Sequence, residues 1–187
     1  PINPVGKTTA LAYGGVQGGI ANQDVLYVGT DDGNVFVRTA GGGMPLVTAD
    51  PFPGGAPRDI VLDPDDWAIA YVLTNDELWM TPDAGATTWT NLTGTLADPD
   101  LRTIVFVETA IADGIIVGGR NGVFGTLTAA LPTGQWLELD NSLPNVLVFD
   151  LDYDVTDNIL LAGTIGRGAW TIPTFREAML DVLLGSI

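Results

Sequence analysis

Four stretches decide how this chain is read. They are Leu26-Tyr-Val-Gly-Thr-Asp-Asp-Gly-Asn-Val-Phe36, Ala70-Tyr-Val-Leu-Thr-Asn-Asp-Glu-Leu-Trp79, Ile115-Ile-Val-Gly-Gly-Arg-Asn-Gly-Val-Phe124 and Leu160-Leu-Ala-Gly-Thr-Ile-Gly-Arg-Gly-Ala-Trp170. Each is an apolar run, a turn rich in Gly, Asn or Asp, and then a small or aliphatic residue followed by an aromatic one. That is the pattern of a β-hairpin. The equivalent positions Gly29, Leu73, Gly118 and Gly163 stand 44, 45 and 45 residues apart. Agreement across four registers marks an internal repeat.

Working outward, each hairpin follows another apolar run: Ala10–Tyr13, Ile60–Leu62, Ile104–Val107 and Leu147–Leu151. The first three are followed by a weaker strand, Pro45–Thr48, Thr88–Leu92 and Gln135–Leu139. Four short strands per repeat of about 44 residues is the arithmetic of a β-propeller blade. The expected architecture is all-β: four consecutive four-stranded blades, the last incomplete, spanning about 8–56, 57–100, 101–145 and 146–173. Residues 1–7 are expected to be an N-terminal extension or closing strand, although Pro1 and Pro4 restrict them to an edge. Since the fourth unit has only three strands before Pro173, either that segment closes a four-bladed ring or the chain belongs to a larger propeller. The second is the preferred reading.

The second unit contains Thr81-Pro-Asp-Ala-Gly-Ala-Thr-Thr-Trp89. This resembles the Asp-box, or BNR, repeat (Ser/Thr-x-Asp-x-Gly-x-Thr-Trp), with one extra residue before Thr-Trp. The resemblance implies a turn between a blade's third and fourth strands. In it, Asp83 binds turn N–H groups, Gly85 takes positive φ and Trp89 packs between blades, with Thr81 opening the box. The other units depart from the pattern: the first has Thr39-Ala-Gly-Gly-Gly, and the third keeps only Trp136 after Thr133-Gly. The fourth ends Gly-Arg-Gly-Ala-Trp170-Thr-Ile-Pro173, similar to the last strands of bacterial propellers of this type. Such boxes occur in sialidases, sortilin-like receptors, xyloglucanases and photosystem assembly factors, so they speak for fold and not for function.

Residues 174–187 read as a C-terminal helix or linker. Thr174 and Glu177 form an expected capping box, Gly185 is the stop, and Phe175, Ala178, Met179, Val182 and Leu183 make one apolar stripe.

Composition narrows the function. There are 23 acidic against 7 basic residues, a net charge of −16, and Lys7 is the only lysine. Such a surface repels phosphate backbones and anionic headgroups, which argues against nucleic-acid partners. No apolar run approaches the roughly 20 residues of a membrane span, so membrane insertion is not expected. The chain has no Cys and no His. Disulfides, Cys/His zinc sites and a Ser-His-Asp triad are thereby excluded within it.

Two chemistries are weighed against plain turn structure. Sialidases on this fold need an arginine cluster; Arg58 and Arg102 open equivalent first strands, but the fourth unit offers Val146 or Leu147 at the matching place. A glycosidase needs two carboxylates about 5–10 Å apart, and no motif selects a pair. The densest acidic set is Asp150, Asp152, Asp154 and Asp157; strand alternation puts the first three on one face. Calcium, a cation that takes six to eight oxygen ligands, is the one cofactor this set suggests. The turns at Asp63-Pro-Asp65-Asp66 and Asp31-Asp32-Gly33 are weaker versions. The turn-capping alternative assigns Asp63 and Asp154 to the turns after their first strands. Asn91-Leu-Thr93 is a formal glycosylation sequon.

The functional reading is a non-catalytic propeller module of an exported multidomain protein at the cell surface or outside the cell. It would serve in ligand or protein binding, in adhesion or as a scaffold, with a protein, a carbohydrate or the remaining blades of its parent as partner. The alternative is a fragment of a propeller-fold carbohydrate-active enzyme. A third class is an assembly factor with one rim fitted to a protein.

Overall fold

A computed structural model describes residues 6–41, 46–96, 100–131, 135–139 and 146–185. Residues 1–5, with Pro1 and Pro4 of the expected closing segment, lie outside the described residues, as do Pro45, Thr133 and Gly134. In chain order the strands are β1 (Thr8–Tyr13), β2 (Val16–Gln17), β3 (Ile20–Ala21), β4 (Leu26–Thr30), β5 (Val35–Arg38), β6 (Leu46–Val47), β7 (Asp59–Leu62), β8 (Ala70–Leu73), β9 (Leu78–Thr81) and β10 (Thr90–Asn91). They continue as β11 (Thr103–Val107), β12 (Gly114–Gly119), β13 (Gly122–Leu127), β14 (Leu137–Glu138), β15 (Val148–Asp154), β16 (Ile159–Thr164) and β17 (Gly168–Pro173), and the helix α1 (Phe175–Leu183) follows.

The strands form three antiparallel sheets of four, β1-β4-β5-β6, β7-β8-β9-β10 and β11-β12-β13-β14, and one of three, β15-β16-β17. This is the all-β, propeller-type arrangement expected, with an incomplete last sheet. The repeat holds at the level of single pairings: Ala10 faces Gly29, Asp59 faces Leu73, Thr103 faces Gly118 and Asp150 faces Gly163. The short β2–β3 hairpin lies outside the four-strand repeat. It turns through Gly18 and Gly19, both at positive φ (59° and 76°), as a tight primed turn requires.

The chain divides into two compact units, Pro1–Asn91 and Leu92–Ile187, each with two of the sheets. In the first, β1 and β7 run beside each other. Ala10, Tyr27 and Val35 of one sheet meet Ile60, Ala70 and Val72 of the other, with Phe52 and Trp89 in the same core. In the second, β11 and β15 are neighbours. Val107, Ile116 and Val123 pack with Leu151, Leu160, Ala162 and Ile172. Each such side chain withdrawn from water is worth roughly 1.5–3 kcal/mol.

The repeated glycine has a packing reason. A Cβ on Gly29 would lie 2.5 Å from Cβ of Pro57, just before β7, and one on Gly118 would lie 2.7 Å from Cγ1 of Val148, where β15 begins. At both places the entry to the next sheet presses on the bare backbone of the one before.

The apolar stripe of α1 is buried as expected, with Phe175 and Met179 inside the second unit's core and Ala178, Val182 and Leu183 against it. Gly185 follows with φ 77°, the left-handed stop. The capping box does not form. Thr174 is itself left-handed (φ 51°) and makes no side-chain cap bond. Asn158, in the β15–β16 turn, takes over: its carbonyl accepts the Phe175 N–H (3.0 Å) and its Oδ1 accepts the Arg176 N–H (2.9 Å). Glu177 is turned toward the same residue, accepting from Asn158 Nδ2 at 2.8 Å. A tertiary cap displaces the local one because it satisfies the first helical donors without bending the chain back on itself.

Candidate functional site

The Thr81–Trp89 segment, read above as resembling an Asp-box, runs from the end of β9 to the start of β10, the third and fourth strands of its sheet. Oγ1 of Thr81 accepts the N–H of Gly85 (2.8 Å) and donates to Oδ1 of Asp83 (2.9 Å). That same carboxylate oxygen accepts the Ala86 N–H at 3.0 Å, and the other accepts the Thr87 hydroxyl. The Thr87 bond does most to hold the Asp83 pKa below the usual carboxylate value, outweighing the rise from desolvation. Two successive residues of the turn are left-handed, Ala84 (φ 58°) and Gly85 (φ 72°). The carbonyl of Gly85 then accepts the Asp50 N–H at 2.9 Å. Trp89 is buried against Phe52, ring centroids 4.9 Å apart, and its indole donates to the Asp50 carbonyl at 3.0 Å.

Trp136 does the same without a box. It is buried, and its indole donates to the Leu92 carbonyl at 3.2 Å. Asp50 and Leu92 both lie in the segment that enters the tryptophan's own sheet, so each ring ties its sheet's last strand to that entry. Sequence reading singled out Trp136 only as a relic; the partner, 44 residues back, was not legible.

Beside the box a groove of 340 Å³ is lined by Val37, Thr39, Thr48, Ala49, Trp67, Asp83, Ala84 and Ala86. It joins an aromatic face, two threonines and one carboxylate. Oγ1 of Thr48 is buried with no hydrogen-bond partner. Tyr27, behind the groove, donates to the Trp67 carbonyl at 2.9 Å, and burial first, then the Asp66 and Asp83 charges, pushes its phenol far up.

The candidate calcium ligands do not gather. Asp150, Asp152 and Asp154 are exposed on one face of β15, and Asp157 lies in the turn beyond. Asp150 and Asp154, four residues apart on a strand, stand about 13 Å apart along it, whereas calcium at about 2.4 Å from each oxygen holds its ligand oxygens within about 5 Å. Asp154 also caps its turn, its Oδ1 accepting the N–H groups of Thr156 (2.8 Å) and Asp157 (3.0 Å). Among the described residues no group of three or more Asp or Glu is placed to hold a metal ion.

The other acidic turns have the same use. Asp63 Oδ1 accepts the N–H groups of Asp65 (2.9 Å) and Asp66 (3.1 Å). Asp31 accepts the Lys7 N–H at 2.7 Å, and Asp32 accepts the Thr30 hydroxyl. Thr109, at the repeat position of Asp63 and Asp154, caps its turn through Oγ1, accepting from Ile111 and Ala112 (3.1 and 2.9 Å). It was missed, although the 45–46-residue spacing points to it.

The two arginines singled out from the sequence are engaged locally. Arg58 donates to Asn75 Oδ1 at 3.1 Å. Arg102 pairs with the buried Asp100 at 3.0 Å and lies over the Phe149 ring, 5.5 Å from its centroid; Arg120 reaches the same carboxylate at 3.7 Å.

No family model matches the chain, and no curated protein matches its sequence. Among solved structures it is similar to an ancestral GH74 enzyme, a propeller-fold glycoside hydrolase, with a TM-score of 0.67 at 15% identity. The match covers 89% of this chain and 25% of that one, so the chain spans about a quarter of that enzyme's length. At such identity the likeness establishes the β-propeller fold and nothing of the chemistry. No helix among the described residues is long and apolar enough to cross a membrane.

Proposed function

We propose that the chain is a non-catalytic propeller segment of an exported, multidomain protein, holding a protein or carbohydrate ligand on a rigid scaffold. The observation that supports this most is where its polar residues are employed. Asp63, Asp83, Thr109 and Asp154 fasten turns, and Trp89 and Trp136 fasten sheet entries. The groove beside the Asp83 turn is the natural ligand place. The indole of Trp67 suits a sugar ring, and the exposed Thr39 suits its hydroxyls. Its single carboxylate is already bound within the turn, whereas glycoside hydrolysis calls for two.

The second reading, a piece of a propeller-fold glycoside hydrolase, is favoured by the likeness to the GH74 enzyme. One experiment separates them: titrate the chain with soluble polysaccharides, following Trp fluorescence, and assay the same mixtures for new reducing ends. A fluorescence change abolished by Trp67→Ala, with no new reducing ends, is the expected result. Reducing ends that vanish on substituting a carboxylate would overturn the scaffold reading.

A further inference from the structure

The groove beside the Asp83 turn is built entirely within the first unit, from both of its sheets, and hydrogen bonds fix its walls. The Trp67 N–H donates to the Val16 carbonyl at 2.8 Å, and the Trp67 carbonyl accepts the Tyr27 hydroxyl at 2.9 Å. Beside it, Oδ1 of Asp66 accepts from Gln17 Nε2 (2.8 Å) and from the Ala68 N–H (3.0 Å). The β2–β3 hairpin, the insert in the repeat, is thus what braces the Trp67 turn. The Ala84 N–H then donates to the Ala68 carbonyl at 2.8 Å, fastening the turn that carries Asp83 to the turn that carries Trp67. Indole and carboxylate are set at a fixed spacing before any ligand arrives, which lowers the ordering cost of binding.

The charge in this groove has one sign. Among the described lining residues Asp83 is the only ionisable group, and no lysine or arginine joins it. Bonds from Thr87, Thr81 and Ala86 hold its carboxylate ionised. They fill two acceptor sites on Oδ1 and one on Oδ2, and a carboxylate offers about four, so Oδ2 keeps one. The charges of Asp66 and Asp83 both act on the Tyr27 hydroxyl, so a second carboxylate stands behind the same wall. An anionic ligand would be repelled here. A neutral one would cover the Asp83 charge without answering it. A cation would be drawn both to the carboxylate and to the indole.

Resting on the reading of this groove as a carbohydrate site, we propose that its ligand is an amino sugar, a pyranose unit of a polysaccharide bearing a free ammonium group. The ring lies over Trp67 and the ammonium is held at Oδ2 of Asp83. The shallow lining of Ala49, Ala84 and Ala86 around the indole favours this occupant over a lysine side chain of a protein. A rigid ring covers such a wall without loss of rotamer freedom, whereas a lysine stem loses it.

The test titrates the whole chain, at mildly acid pH and low salt, with three tetrasaccharides that differ only at C2. These are the β-1,4-linked oligomers of glucose, N-acetylglucosamine and glucosamine, followed by Trp fluorescence. The glucosamine form should bind roughly tenfold more tightly than the other two, the effect of one charge-assisted contact, and sodium chloride should shrink that difference. Asp83→Asn should bring the three to one affinity. Asp181→Asn removes the same charge from an exposed place on α1 and should leave the preference intact. Because Asp83 also fastens its turn, a second measurement uses the unsubstituted chain: raising the pH until the ligand's amine is neutral should abolish the preference. Equal affinity for all three sugars overturns the amino-sugar inference and leaves the carbohydrate reading standing. A preference that survives Asp83→Asn, or that falls equally with Asp181→Asn, overturns it as general attraction to an acidic surface. Tetralysine displacing the glucosamine oligomer at equal concentration overturns it in favour of a basic peptide. Binding of none of the sugars removes the inference and the carbohydrate reading together.

Discussion

Gly118→Ala and Gly163→Ala are chemically identical changes at equivalent positions, and the structure gives them opposite signs. At 118 the new methyl would lie 2.7 Å from Cγ1 of Val148, 2.9 Å from Cγ2 of Thr103 and 3.2 Å from Cβ of Val148. Carbon atoms prefer about 3.5–4.0 Å, so the overlap approaches 1 Å against two β-branched side chains with little rotamer freedom. Val148 and Thr103 are both buried and cannot swing into solvent. Overpacking of this kind costs about 1–3 kcal/mol. Restricting the unfolded chain returns about 0.4–1 kcal/mol, leaving a net loss of about 1–2 kcal/mol. At 163 the methyl meets Asp150 at 3.7 and 3.8 Å, ordinary contact, and only the gain remains. Urea unfolding at low protein concentration reads both; with m-values unchanged, the midpoint falls for Gly118→Ala and rises slightly for Gly163→Ala. Equal midpoints for the two variants, or a loss at 163 as large as at 118, would refute the claim that the glycine exists for the next sheet.

Three further outcomes are expected. Asp83→Asn should cost about 1–2 kcal/mol through weakened turn bonds. Because the folded-state pKa of Asp83 is depressed, its stabilisation is in place above the unfolded value near 4 and is lost as pH falls through the folded one, so the variant's acid limb in a pH series of melts should be flatter. Trp136→Ala should cost about 3–5 kcal/mol by chemical denaturation, as should Trp89→Ala, since both rings are buried and both indoles bonded. Melting temperatures in calcium chloride and in sodium chloride of matched ionic strength should coincide, because the row at Asp150, Asp152 and Asp154 is spread along a strand; a calcium-specific rise that Asp152→Asn abolishes would reinstate the site.

What the sequence made legible was local and periodic. Alternation and turn residues place β4, β5, β8, β9, β12, β13, β16 and β17, and the 44–45-residue step aligns Gly29, Gly118 and Gly163. Asp63 and Asp154 were readable as turn caps because the N–H donors they accept from lie two and three residues ahead. The β2–β3 hairpin escaped because two-residue strands carry no period. The N-cap of α1 escaped because Asn158 comes from 17 residues upstream of the helix, and a local Thr-x-x-Glu pattern offered a plausible alternative. The acidic row was read correctly as one face, yet sharing a face is not the same as reaching one ion; the rise per residue decides that. The groove at Trp67 and Asp83 joins four segments of the first unit and has no signature in any one of them.

The two tryptophan ties bear on how such repeats drift. Trp136 makes its bond to an entering carbonyl in a repeat without the box pattern, so the tie does not depend on the box. The acceptor is main chain, which no substitution short of a deletion removes. A repeat can therefore shed nearly every letter of its motif and stay mechanically fastened as long as one indole persists. Motif searches count letters and pass over such a unit. A search that asks instead for an indole about 40 residues after a hairpin-entry segment would find both units of this chain, the one that still spells its box and the one that has gone silent.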